Sequence, residues 1–294
     1  MGFTFFLAQF IMGLSSGMLL FLIASGLTLI FGLLRVPNFA HGSLYMMGAY
    51  LTYYFLFYVG QFGFFAALTA ATISLAIIGA LLEFFPLRRI YNRSHDLQLL
   101  MTFCFILLME DVAKFIWGTS FKSIKTPDAL AGSVLLPGGR EFPIYCLFII
   151  VCGFIVAIFL GILMNKTRLG KMIQAGTSNK EMLGALGINV PRMFTLVFML
   201  GSALAGLAGG LAGPLIAVTV GMGDAIIIIV FAIIIVGGVG SLMGAFLCSI
   251  LVGLLNTFGV YFMPGFAMIF TYMLVVIILL TKPEGIFGKR EGIS

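Results

Sequence analysis

The sequence predicts an all-α protein, a polytopic transmembrane helix bundle of about eight or nine spans with broken helices and an internal repeat. Three observations predict it. Of 294 residues, 62% are hydrophobic and 9% charged, with a mean hydropathy of +1.20, whereas soluble domains carry roughly 25% charged residues. Residues 36–82 and 225–281 hold no Asp, Glu, Lys or Arg, and each is long enough to cross a hydrocarbon layer of ~30 Å more than once. The apolar runs are continuous, without the alternation of a transmembrane β-barrel.

Apolar segments place spans near 11–33, 42–59, 64–84, 97–117, 142–163, 194–217, 226–241, 243–259 and 265–281. The N-terminus has no Lys or Arg before its apolar run, and that run is too long for a signal peptide, so it is expected to remain as a span. The net charge of +6 sits in short connections, so the excess of basic residues in cytoplasmic loops explains it without nucleic acid. Segments 86–96 (Arg88, Arg89, Arg93), 164–193 (Lys166, Arg168, Lys171, Lys180, Arg192) and the tail (Lys282, Lys289, Arg290) are therefore assigned to the cytoplasm, and the mixed-charge loop 118–141 to the outside. Loop 164–193 and the tail share a side only if an even number of crossings separates them, and the four spans between them satisfy this. The N-terminus is then outside and Arg35 near the cytoplasmic face. Cys104, Cys146, Cys152 and Cys248 all lie in apolar runs and read as packing residues rather than disulfide partners.

The stretch "RVPNFAHG" (35–42) interrupts two apolar runs. Pro37 removes a backbone donor and Gly42 permits a turn, which leaves Asn38 and His41 to bond freed carbonyls or a solute. It either lines a path through the membrane or forms an interfacial turn in which Arg35 snorkels and His41 caps a helix. "HGSLYMMGAYL" (41–51) and "GVGSLMGAFL" (238–247) echo each other. The echo is chance similarity in apolar sequence or a repeat of the kind from which transporters build their solute path. The assigned sides put both breaks on one face, where an inverted repeat would separate them.

In "GSALAGLAGGLAGP", Gly201, Ala205, Gly209 and Gly213 recur every four residues beside Gly206 and Gly210. This makes a face that another helix can approach closely, for packing or for sliding. Glu110 and Asp111 suit either a proton relay or pairing with Lys114 on the same helical face. Glu83 reads as an interfacial charge beside Arg88, and Asp224 as the cap of the next helix.

Loop 164–193 predicts a short amphipathic helix. Ser178 stands at capping-box distance from Glu181, Met182, Leu183 and Leu186 supply an apolar side, and Gly187 and Pro191 stop it. Such a helix either lies on the membrane surface or docks into a groove on a cytoplasmic protein. There is no phosphate-binding Gly-rich loop, no metal-ligand cluster and no nucleophile with a base, so a pump built from this chain needs another chain to supply its energy.

"GLTLIFGLLRVPNFAHGSLYMMGAY" (26–50), "AGTSNKEMLGALGINVPRMFTLVFMLGSALAGLAGGLAGP" (175–214), "VFAIIIVGGVGSLMGAFLCSILVGLL" (230–255) and "KPEGIFG" (282–288) together resemble the membrane permeases of bacterial branched-chain amino-acid ABC importers, the LivH type. The resemblance implies that residues 1–294 form one permease domain in the bacterial inner membrane. It would work with a second, homologous permease subunit, two cytoplasmic ATPase subunits and a periplasmic substrate-binding protein, and would bind no cofactor itself, ATP being hydrolysed by the partners. It also implies that 178–190 is the coupling segment, with Ser178, Glu181, Met182, Ala185, Leu186 and Gly187 facing an ATPase. Glu181, Ala185 and Gly187 match the importer loop signature Glu-Ala-Ala-x-x-x-Gly in part, and Met182 replaces its first Ala. Asn38, His41, Gly42, Gly237, Gly238 and Gly240 would border the translocation path. The solute would be a branched-chain amino acid or another small polar molecule such as urea, an amide or an aromatic acid. The rival reading is a stand-alone carrier or channel driven by an ion gradient through Glu110, Asp111 or Asp224.

Overall fold

The computed structural model describes residues 3–59, 63–91, 93–137 and 139–288. Each predicted span contains one helix. In chain order these are α1 (Phe3–Leu34), α2 (His41–Phe57), α3 (Phe64–Phe84) and α4 (His95–Trp117), then α5 (Ile144–Lys166), which leads into two shorter helices, α6 (Arg168–Ser178) and α7 (Lys180–Ala185). After them come α8 (Val190–Ala212), α9 (Met222–Gly237), α10 (Leu242–Phe262) and α11 (Ala267–Thr281). A 3-10 turn, Leu87–Ile90, joins α3 to α4. The outer loop holds an antiparallel hairpin, β1 (Ser133–Leu136) and β2 (Arg140–Pro143), which the all-α reading lacked.

Among the described residues, α1, α3, α5, α8 and α10 are long and apolar enough to cross a membrane. α1 is the centre: 89% of its apolar window is buried inside the protein, against 22% for α5, whose side chains face lipid. The 32 residues of α1 make a rod of about 48 Å, whereas the 16 residues of α9 reach only about 24 Å. Helix ends fall where the chain loses donors or turns left-handed. α8 stops at Ala212 because Gly213 and Pro214 follow, and Pro has no N–H to continue the ladder. α9 starts after Gly221 (φ +82°) and ends at Gly238 (φ +97°), four residues earlier at each end than the hydropathy alone indicated.

Contacts at the two ends of α1 show which loops lie together. At its C-terminal end, Arg35 Nη2 donates to the Thr177 carbonyl at 3.2 Å, and Gly176 of α6 packs on Leu33. The tail reaches the same end, with Ile286 N–H donating to Val236 O and Phe287 N–H to Gly237 O, while Gly240 lies against Gly32. The hairpin loop and the α8–α9 connection meet at the opposite end, through reciprocal backbone bonds between Lys122 and Val218.

The small face of α8 packs on three helices. A methyl placed on Gly26 of α1 would sit 2.6 Å from the Gly201 carbonyl oxygen, one on Gly48 of α2 would strike Gly206, and one on Gly206 would come 2.9 Å from Leu75 of α3. α1 and α10 meet the same way, at Gly13, Gly17 and Gly253. Lipid tails are as apolar as the helix surfaces, so association rests on dispersion and backbone approach, which small residues maximise. Replacing Gly48 with Val is expected to lower the midpoint of thermal unfolding in detergent by at least ~5 °C, overpacking costing about 1–3 kcal/mol. Gly184→Ala in α7, where an added methyl meets nothing within 4 Å, is expected to leave the midpoint unchanged or raise it, since Ala is the better helix former.

Candidate functional site

The site residues expected from the sequence fall on two surfaces, the loop 164–193 and the break after α1. In the loop, Thr167 caps α6, its hydroxyl accepting from the Gly170 N–H at 3.1 Å. Ser178 is the last residue of α6 and not a cap. Asn179, extended at φ −152°, takes that role, its Oδ1 accepting from the Met182 N–H at 3.0 Å. The cap therefore moves by one residue, because the helical run before it continues through Ser178, and with Met182 at the third helical position the expected Ser178–Glu181 capping box does not form. Glu181 remains in the first turn, where its charge suits the helix dipole.

α7 ends in a Schellman motif: Ile188 N–H bonds Leu183 O at 3.2 Å, and Gly187 N–H bonds Gly184 O at 3.0 Å. Gly187 has φ +79°, a left-handed conformation open to glycine with no steric cost. Leu183 points inward, 3% exposed, and the Gly176 backbone lies against it and against Met193 of α8. Met182 (63% exposed) and Leu186 (72%) point the other way, with Glu181, Ala185 and Gly187 also exposed. The result is an apolar knob on a capped helix, keyed to the end of α1 and the start of α8.

At the break, the chain leaves α1 through Arg35, a non-glycine residue at φ +57°, and turns back along α1. α2 then starts at His41, whose Nε2 lies 3.2 Å from the Ile23 carbonyl. Ile23 is eleven residues before the end of α1, so α2 begins about 16 Å inside the bundle. His41 is fully buried and does not cap α2. Asn38 is 3% exposed, neither of its amide atoms has a hydrogen-bond partner, and it borders a cavity of ≈ 10 Å³ with Ile30, Tyr91 and Thr102. Gly42 lies directly against Gly223 in the first turn of α9.

The second set sits at the other end of α9. Gly237 packs on Gly244, Gly238 on the tail at Gly288, and Gly240 beside Gly32. The two echoed segments thus start α2 and α10, which run in the same direction, but at different depths: His41 contacts α1 at Ile23 and Gly240 contacts it at Gly32, about 14 Å further along. The sequence reading missed an open groove of ≈ 440 Å³ between α1 and α10 near their outer ends, lined by Gln9, Met12, Asn256, Thr257, Val260 and Tyr261. Its signal was present, because Asn256 and Thr257 form the one polar pair deep in the apolar run 242–262.

Glu110 and Asp111 share one cation. Lys114 lies 3.7 Å from Glu110 and 3.2 Å from Asp111. Asp224 is not the cap of α9, a position held by Gly221; it sits in the first turn, on the side of Gly221 where Glu110 also approaches. Among the described residues no three His, Cys, Asp or Glu side chains gather at metal-binding distance.

A bundle of apolar helices with a broken helix, a small-residue core and a capped, exposed knob is the architecture of a multi-pass membrane protein. The family described as the permease component of the branched-chain amino acid transport system matches residues 9–279, and the chain belongs to it. It is 28% identical to the high-affinity branched-chain amino acid transport system permease protein BraD of Pseudomonas aeruginosa, with 97% of each chain covered. It is 25% identical to the LivH permease proteins of the corresponding systems in Salmonella typhimurium and in Escherichia coli, covering 98% of this chain and 97% of each relative. No solved structure matches.

Loss of the observed cap is expected to weaken α7 selectively. Asn179→Ala should cost about 1 kcal/mol of local helix stability, read as faster backbone hydrogen exchange at residues 181–187 with exchange in α8 unchanged.

Proposed function

We propose that this chain is the permease subunit of an ATP-driven importer in the bacterial inner membrane, carrying branched-chain amino acids or related small polar solutes. The observation that carries this reading is α7, whose exposed Met182 and Leu186 form an apolar surface too small to stabilise a membrane anchor by itself but well suited to a groove on a partner. In this reading Ser178, Glu181, Met182, Ala185, Leu186 and Gly187 contact one of two cytoplasmic ATPases. The chain binds no cofactor of its own, and residues 1–294 act as one permease domain. A second, homologous permease completes the path and a periplasmic binding protein delivers solute.

The path follows the break. Asn38 offers an unpaired donor and acceptor where the chain re-enters the bundle, His41 ties the start of α2 to α1, and Gly42 lets α9 close on it. Gly237, Gly238 and Gly240 shape the cytoplasmic end, where α9 meets the tail. The outer groove fits the same route, because Gln9, Asn256, Thr257 and Tyr261 present hydrogen-bonding groups without net charge, suited to a neutral or zwitterionic solute and costly against lipid tails. Import proceeds as the ATPases close on ATP and displace α7, which shifts α8 and reopens the break to the other side.

Cysteine at position 182 or 186 is expected to cross-link to an ATPase subunit in intact cells, and absence of any such product would count against the importer. Met182→Asp with Leu186→Asp should reduce uptake by at least ~10-fold by placing charge in an apolar contact, with the permease still inserted. Asn38→Ala with His41→Ala is expected to abolish most uptake, and full transport by that variant would remove the break from the path.

A further inference from the structure

Glu83, near the end of α3, is a carboxylate with no exposed surface at the point where the cytoplasmic loop hands over to α8. The structure surrounds it with donors. Arg88 Nε and Nη2 approach its two oxygens at 3.3 and 2.9 Å, the Tyr91 hydroxyl at 3.3 Å, and the Thr195 hydroxyl at 2.6 Å. Arg88 closes the ring from the other side, donating through Nη2 to Thr195 Oγ1 at 2.6 Å and to the Pro191 carbonyl at 3.3 Å, with its guanidinium stacked 4.7 Å from the Phe84 ring centre. Burial, then the neighbouring Glu83 charge, hold the Tyr91 hydroxyl far above its usual range, so it stays protonated as a donor.

The placement gives this network a direction. Pro191 and Thr195 lie in the first turns of α8, and the Asn189 side chain caps that helix by accepting from the Arg192 N–H at 3.1 Å. Only Leu186 to Asn189 separate α7 from α8. Higher in the bundle, α3 and α8 touch through Gly79 against Ser202 and Leu75 against Gly206. A seam of mostly small residues resists separation through dispersion but offers few ridges to resist sliding. Charge-assisted bonds of fixed geometry do resist it. Through the Glu83–Arg88–Thr195 ring, charge-assisted bonds cross that seam from the ion pair to Thr195 and Pro191.

We propose that Glu83, Arg88 and Thr195 are positioning residues that lock α8 to α3, so that displacement of α7 moves both helices as one body instead of letting α8 slip. The proposal rests on the importer reading of α7. Arg88 carries the charge that makes burial of Glu83 tolerable, and Thr195 supplies the link to α8. Loss of Thr195 alone leaves the ion pair within the α3 end and reduces the tie to α8 to the longer Arg88 Nη2–Pro191 carbonyl bond.

The test is a comparison of Thr195→Val, which keeps the side-chain shape, with Thr195→Ser, which keeps the hydroxyl. Each would be placed in the importer reconstituted in liposomes with its partner permease, ATPases and binding protein. Thr195→Val is expected to hydrolyse ATP at nearly the wild-type rate while moving at least ~10-fold less solute per ATP, the scale set by loss of a hydrogen bond to a charged group. Thr195→Ser is expected to restore the ratio. An unchanged ratio in Thr195→Val, or transport and hydrolysis falling together with the amount of assembled complex, overturns the proposal. The importer reading is tested separately by the wild type: solute uptake by the chain without ATPases would overturn that reading whatever the variants do.

Discussion

The structure depends on backbone-to-backbone approach at glycine. In lipid there is no water to expel between helices, so an apolar surface gains nothing by turning inward unless it packs more closely than lipid would. α8 meets that condition on several sides, against Gly26 of α1, Gly48 of α2 and Leu75 of α3. α1 meets it again against α10. The most buried rods are therefore those richest in small residues at the contacts, while α5, with bulky residues and few close contacts, remains at the edge.

That packing makes the break tolerable. A segment of extended chain inside a bundle leaves backbone groups without helical partners, and such groups persist at membrane depth only where protein or a polar cavity surrounds them. Val36, Asn38 and Ala40 are buried while Arg35 and Phe39 are exposed, and part of the bonding is local: Arg35 N–H to Phe31 O, His41 N–H to Asn38 O and Leu44 N–H to Ala40 O. The Asn38 amide is left over. A polar group held unsatisfied in a close-packed interior is a site of strain, and here it coincides with the left-handed Arg35 and the start of a helix in mid-bundle.

The cytoplasmic loop and the break are joined mechanically through α8. Its first turn receives the loop, its middle contacts α1 at Gly201, and its outer half carries α2 at Gly209 and Tyr45. The Glu83–Arg88–Thr195 ring fixes the register of α3 on the same rod. A force applied at α7 thus has a continuous route to the helix that begins at the break.

The sequence by itself determined the class and the positions of the apolar helices, because hydropathy is a local property that a bilayer reads one segment at a time. It placed Met182, Leu183 and Leu186 on one apolar side of a short helix, whereas packing turns Leu183 inward and leaves Met182 and Leu186 exposed. Tertiary structure decided the rest. That Asn179 and not Ser178 caps α7 depended on how far α6 extends, and that Gly42 and Gly237 lie at opposite ends of α9 depended on where α2 begins along α1. Glu83 looked like a surface charge next to Arg88, and its burial follows from Thr195, more than a hundred residues away, closing over it as α8 packs on α3. Contacts between distant segments set burial and partnership, and no window of sequence contains them.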